Sequence, residues 1–269
     1  MIAAMIVRIA FLLSLALPAT AFAARSEWSA ADESQIRLLL TSAEDGEIRA
    51  GVEILLEPGW YTYWRNPGEA GVPPVFDFSG SDNVADVKVL YPAPIRHDDG
   101  ASISLIYQDE VVFPLTITPI EAGAPITLRL QASFGVCSEI CIPTRASSEV
   151  SLSPGPDTDP LSVERLRAFE HRLPGAPEPG HFDIESVTAT ADALMIDVRM
   201  PESSYSDLFA DPPQGWYIGQ PAFVERVDGI SRYRLSLAGR PSAAPVSGQS
   251  FRFVAVAGGE AIEEAVEIH

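Results

Sequence analysis

Cysteine is scarce in this 269-residue chain: Cys137 and Cys141 are the only two. That excludes a small scaffold held by many bridges, and it leaves no cysteine for lipid attachment behind an export signal. Histidine is nearly as rare, and His97, His171, His181 and His269 stand singly and far apart. Zinc normally takes four ligands from closely spaced His and Cys, so neither a metal centre nor a cofactor is expected. Lysine is almost missing, since 17 of the 18 basic residues are Arg and the exception is Lys88. With 37 acidic residues the formal net charge is −19. Such a chain is repelled by nucleic acid and by anionic membrane surfaces, and the acidity suits a soluble, exported protein. There is no Gly-rich phosphate loop, and Ser133 and Ser138 sit in no nucleophile-elbow pattern. A nucleophilic Cys–His pair with His97 would have no identifiable orienting group and would leave Cys141 without a purpose.

Long apolar runs are also lacking, apart from the N-terminus. There Arg8, the run Ile9 to Leu17 and the pattern Ala21-Phe22-Ala23 read as a secretory signal over residues 1–24, cleaved after Ala23 or Ala24. The run is too short for a stable transmembrane helix, so the mature chain is expected to carry no membrane span. Export places the cysteines in an oxidising compartment, where a disulfide can form and persist. The expected location is the periplasm.

What the chain has in quantity is β pattern. The stretches 35–40 and 48–56 flank a turn at Glu44-Asp45-Gly46, a hairpin signature. Glu27 to Arg37 reads as loose chain or one helical turn. In Trp60-Tyr61-Thr62-Tyr63-Trp64, alternation sends Tyr61 and Tyr63 to one side and Trp60, Thr62 and Trp64 to the other. One set is core; the other is a second core layer or a patch of exposed rings beside the cysteines. Asn66 to Pro74 and Pro92 to Ser102 read as irregular loops, the latter holding Asp98 and Asp99. Further strands are expected over 75–78, 84–91, 103–107, 111–118, 126–133 and 146–152. Seven to nine short strands in about 125 residues describe a β-sandwich over residues 25–153. A Pro/Gly-rich linker with a short helix, Leu161 to Leu173 capped by Asp159 or Thr158, fills 154–179. Residues 180–269 read as a second, smaller β-domain without cysteine, in which Tyr205 to Pro213 is irregular or briefly helical. The fold class is therefore all-β, with two sandwich-like domains in tandem.

The cysteines lie in Phe134-Gly135-Val136-Cys137-Ser138-Glu139-Ile140-Cys141-Ile142-Pro143. In an extended strand their Cα atoms would be about 13 Å apart, whereas a disulfide needs about 4.4–6.8 Å. If they are bonded, the chain turns sharply at Ser138 and Glu139. A five-residue ring contributes only about 2 kcal/mol of chain-entropy stabilisation, against about 4.7 for a hundred-residue loop. So small a ring suits a pair that opens and closes better than a staple, although a plain structural bridge stays open as the alternative. Glu139 is expected to raise a thiol pKa and Arg145 to lower it.

Three motifs, in order, resemble a known family. They are Gly59-Trp60-Tyr61-Thr62-Tyr63-Trp64-Arg65-Asn66-Pro67-Gly68, the strand pair from Tyr107 to Thr118, and Gly135-Val136-Cys137…Cys141-Ile142-Pro143. Together they are similar to the N-terminal periplasmic domain of the thiol:disulfide interchange protein DsbD, in its ScsB-like branch, over about residues 35–153. The resemblance implies an immunoglobulin-like sandwich and a module of thiol–disulfide interchange, a protein-disulfide reductase activity of the kind linked to cytochrome c biogenesis. It implies Cys137 and Cys141 as the exchanging pair, a thioredoxin-like or membrane-embedded thiol reductant as donor, and periplasmic disulfide proteins as substrates. Tyr61 and Tyr63 match aromatics beside the family's cysteines, and His97 to Ser102 falls where the family has a cap. The cap aromatic is absent here, so shielding is expected to be weaker or to be supplied by Tyr107, with Asp98 and Asp99 bordering the site and Glu139 between the sulfurs. This sequence shows no membrane helices or thioredoxin-like domain, so the expectation is that either a separate protein supplies the electrons or the relay has been lost and the module only binds. The other class of function is a β-sandwich binding or assembly module whose disulfide is inert.

Overall fold

The computed structural model of the chain describes residues 25–42, 48–153, 159–242 and 244–269. The expected signal segment, the Glu44-Asp45-Gly46 turn and residues 154–158 of the linker lie outside the described residues. Every sheet is antiparallel. The first runs in the order β1 (Ser29–Ala31), β2 (Ser34–Ser42), β3 (Ile48–Leu56), β9 (Glu110–Pro119) and β6 (Val84–Val89). The second runs β11 (Cys141–Leu152), β10 (Ile126–Cys137), β4 (Tyr61–Gly68), β8 (Ile103–Gln108) and β7 (Ile95–Asp98), and β5 (Val75–Asp77) also pairs with β10. These two sheets enclose one core and form the expected immunoglobulin-like sandwich.

Alternation builds that core: Leu128, Leu130, Ala132 and Phe134 of β10 point inward, while Gln131 and Ser133 are exposed. In β2 the run Leu38-Leu39-Leu40 does not alternate, because both of its faces are covered. The outer cover is helix α1 (Pro160–Glu170), which lays Leu166 and Phe169 on the sheet. Gly51 permits that approach, since a Cβ there would come within 2.7 Å of the Leu166 side chain. Asp159 caps the helix, accepting from the Leu161 N–H and the Ser162 hydroxyl, and Pro160 opens it. The helix ends at Glu170, short of the expected Leu173.

Arg165 of α1 reaches buried Glu53 and also donates to both oxygens of Glu110. Those hydrogen bonds hold the Glu110 carboxyl below its ordinary value of 4.5, against the smaller opposing cost of its burial. A depressed folded-state pKa contributes stability above the unfolded value and loses it as the pH falls through the folded one. Glu110→Gln should therefore lower stability at neutral pH, and its gap to the parent should close in acid titrations followed below pH 4.5.

The C-terminal part holds two more sheets. One has the order β12 (Asp183–Ala189), β13 (Ala193–Arg199), β16 (Ile230–Ser236) and β15 (Ala222–Val227); the other has β14 (Ser206–Asp211), β17 (Ser250–Ala257) and β18 (Glu260–Glu267). They enclose a second core around Leu194, Ile196, Tyr233, Phe251 and Phe253.

Further local expectations change, and Asn66 to Gly68 of the expected loop belong to strand β4. Glu27 to Arg37 forms no helical turn: it contains β1 and the start of β2, which pair with each other. Pro92 to Ser102 contains strand β7, bonded to β8. Strand β10 runs on to Cys137 and β11 begins at Cys141, so both cysteines are strand residues. Tyr205 to Pro213 contains strand β14, whose Leu208, Phe209 and Ala210 are all buried. A strand covered on both sides shows no alternation, which is why it did not read as one.

Candidate functional site

Strands β10 and β11 pair residue by residue over twelve positions, ending at Cys137 opposite Cys141. Their Cα atoms are 4.1 Å apart and the sulfurs are bonded. Only Ser138, Glu139 and Ile140 make the turn, closed by the Ser138 N–H donating to the Ile140 carbonyl at 2.9 Å.

Register assigns the faces. Cys137 lies opposite Tyr61, and Tyr63 lies opposite Ile106, which lies opposite Ile95. Cross-strand partners share a face, so Cys137, Tyr61, Tyr63 and Ile106 all point away from the main core. They form a separate small cluster there. Thr62 and Trp64 point the other way and are buried. Thr62 donates its hydroxyl to the Gly135 carbonyl at 2.8 Å, tying β4 to β10 where the backbone ladder between them is interrupted.

The two cysteines differ in exposure. Cys137 is fully buried, whereas Cys141 is exposed. The Tyr63 hydroxyl lies 2.9 Å from Cys137 Sγ and 3.3 Å from Cys141 Sγ. Burial, reinforced by neighbouring Tyr61 and Asp99, pushes the Tyr63 phenol well above its ordinary value. It stays protonated across the physiological range and serves the sulfurs as a donor.

A short loop covers the Tyr63 ring. A Cβ on Gly71 (φ +129) would come within 2.2 Å of that ring, and one on Gly135 within 3.1 Å of it. The loop is pinned by the Gly135 N–H donating to the Val72 carbonyl, Ser104 Oγ to the Ala70 carbonyl, and the Ile103 N–H to the Glu69 carboxylate. Gly71 and Val72 belong to the site and were missed in the sequence. Their signal was two glycines, Gly68 and Gly71, bracketing a loop directly after the aromatic strand.

Tyr61 is half-buried and packs edge-on against Tyr63, with the His97 ring at 5.0 Å on its other side. The structure thus brings together Cys137, Cys141, Tyr61 and Tyr63, and adds His97. Asp98 and Asp99 are exposed beyond His97, where they build the turn. Asp98 accepts from the Gly100 N–H and Asp99 from the Ala101 and Ser102 N–H groups. The Ser102 and Ala101 amides hold the Asp99 carboxyl below its ordinary value. Glu139 is exposed in the turn between the sulfurs.

Two expectations are corrected. Tyr107 does not shield the disulfide: it faces the main core, packs edge-on to Phe113 and donates to the Pro92 carbonyl at 2.7 Å. It pairs with Thr62, so its face is opposite to that of Tyr61 and Tyr63. Arg145 does not balance Glu139, because it lies opposite Ser133, four residue pairs from the sulfurs. At about 3.3 Å per residue that is beyond the Debye length of about 8 Å at physiological salt. The charge next to the sulfurs is consequently that of Glu139, while Asp99 lies close enough to the Tyr63 phenol to help raise it. Ile140 in the same turn and Val72 of the covering loop are exposed. Among the described residues no group of three or more His, Cys, Asp and Glu could hold a metal ion, and no helix is long and apolar enough to cross a membrane.

A β-sandwich carrying a hairpin-tip disulfide, hydrogen-bonded to a buried tyrosine and with one of its two cysteines exposed, defines the class: a cysteine-pair module on an immunoglobulin-like scaffold. Residues 30–152 match the sequence family "Thiol:disulfide interchange protein DsbD, N-terminal", and this segment is a DsbD N-terminal-like domain. The whole fold is similar to the crystal structure of the N-terminal periplasmic domain of ScsB from Proteus mirabilis. That likeness has a TM-score of 0.74 and 25% sequence identity, and covers 91% of this chain and 98% of the other. No curated protein matches the sequence.

Proposed function

We propose that the chain is a periplasmic thiol–disulfide exchange module. It takes electrons from a thiol reductant, thioredoxin-like or membrane-embedded, and passes them to exported disulfide proteins through Cys137 and Cys141. The observation that carries this reading is the asymmetry of the pair: Cys141 is the exposed member, and Cys137 is buried with its sulfur against a hydrogen-bond donor.

The chemistry follows from that asymmetry. An incoming thiolate attacks Cys141 Sγ, forming a mixed disulfide, and the bond to Cys137 Sγ breaks with its electron pair leaving on Cys137. Negative charge develops on a sulfur that would be costly to charge in an apolar cluster, 2.9 Å from the Tyr63 hydroxyl that donates to it. A second thiol on the donor then resolves the mixed disulfide, releasing the module as a dithiol and the donor as a disulfide. Toward a substrate the steps reverse: the Cys141 thiolate attacks the substrate disulfide and Cys137 resolves. Ile140 and Val72 supply apolar contact for the visiting protein, and the acidic Glu139, Asp98 and Asp99 favour one whose own rim is basic.

Tyr63→Phe tests the donor. Hydrogen bonds to charged groups contribute about 1.5–3 kcal/mol, so reduction by a small thiol should slow by about tenfold or more while the fold persists. Stopped-flow reduction with dithiothreitol reads this out. The function itself is tested by the pair's reduction potential together with exchange against a thioredoxin-like donor. Fast exchange is expected; a potential well below about −300 mV, the range of resistant structural bridges, would return the disulfide to an inert, structural role.

A further inference from the structure

Among the described residues the second sandwich contributes no side chain to the sulfurs, yet it packs against the first sandwich's core. Its three-stranded sheet lies between the two cores. Phe209, Val254 and Val256 point into the first, where Phe209 meets Trp64, while Leu208, Ala210, Phe253 and Ala255 point into the second. An apolar interface of this kind resists relative motion of the domains.

Polar contacts then tie the site's own strands to that sheet. Arg96, the residue before His97, forms a bidentate pair with Asp207 at 2.8 Å twice, and also donates to the carbonyls of Leu208 and Pro221. Arg65, two residues after Tyr63, donates to Asp211 at 2.9 Å and Glu263 at 2.7 Å, with its guanidinium over the Trp64 ring. Asn66 donates to the Ala210 carbonyl at 2.7 Å and accepts the Gly68 N–H, shaping the start of the loop that covers Tyr63. Every one of these groups is part-buried, where a charge-assisted hydrogen bond is stronger than at the surface.

We propose that Arg65, Asn66 and Arg96 are positioning residues. By clamping β4 and β7 onto β14 they hold Tyr63 and its covering loop in register with the disulfide, so the exchange site is a property of both sandwiches. The inference rests on the exchange reading above, but its geometric part can be measured without it.

The test uses the full chain and a variant altered only in the second sandwich, Asp211→Asn with Glu263→Gln, which removes both carboxylates from Arg65. Asn66→Ala, which changes no charge, is the companion should the double variant fold poorly. Amide hydrogen exchange is read at Gly135, whose N–H is held by the loop at Val72. Reduction by dithiothreitol is read in the parent and in Tyr63→Phe. The expected result is at least tenfold lower protection of the Gly135 amide and about fivefold slower reduction, with no further slowing once Tyr63 is Phe. Unchanged protection and rate, or equal slowing in both backgrounds, would overturn the proposal. A parent disulfide inert to thiols would sink the exchange reading alone, because the protection measurement would still decide whether the clamp holds the loop.

Discussion

Cys137→Ala, incubated with a thioredoxin-like partner that lacks its own resolving cysteine and carries its attacking one as a mixed disulfide with a small thiol, is expected to accumulate a stable mixed disulfide through Cys141 as the small thiol leaves, whereas Cys141→Ala should trap none. The buried sulfur cannot be reached by a second protein, and the exposed one has no resolving neighbour once Cys137 is gone. The effect is all-or-none, since attack on a disulfide and release from it both need access to the sulfur. Non-reducing electrophoresis with mass identification of the two linked cysteines reads this out. Equal trapping by both variants would show that the hairpin opens before exchange and would remove the structural basis for the order of attack. Neither substitution should harm folding greatly, because the ring closed by the bridge contributes only about 2 kcal/mol.

The second large effect is expected at Gly71. Its φ of +129 lies where side chains are strained, and a Cβ would stand 2.2 Å from the Tyr63 ring. Backbone strain costs on the order of 1–3 kcal/mol and overpacking about 1–3 more. Gly71→Ala should therefore lose about 3 kcal/mol, or about 9 °C in Tm for a protein of this size. The clash can be relieved only by moving the loop or the ring, so reduction by dithiothreitol should slow as well. Gly100→Ala is the control: φ is +83 there, but nothing lies within 4 Å of the added Cβ. It should cost about 1 kcal/mol of strain and leave the exchange rate unchanged. Equal loss of exchange in both variants would mean that general destabilisation, and not the position of Tyr63, governs the rate.

The sequence on its own determined the β class, a helix capped at Asp159 or Thr158, the placing of Tyr61 and Tyr63 on one side of a strand, and a pair of cysteines four residues apart. Each of these is a local matter: alternation, capping and ring size act over a few residues, and their signals stand in a few consecutive letters. The tertiary structure decided everything that depends on register and on layers. Tyr107 differs from Tyr63 in face only because of how β8 pairs with β4, and Arg145 is far from the sulfurs only because β10 and β11 pair without interruption. Strand β14 escaped notice because two cores cover it, one on each side, which erases the alternation that marks a strand. The clamp of Arg65 and Arg96 on Asp211 and Asp207 was invisible for a different reason. The partners are more than a hundred residues apart in sequence, and only packing of one sandwich against the other brings their charges within hydrogen-bond reach.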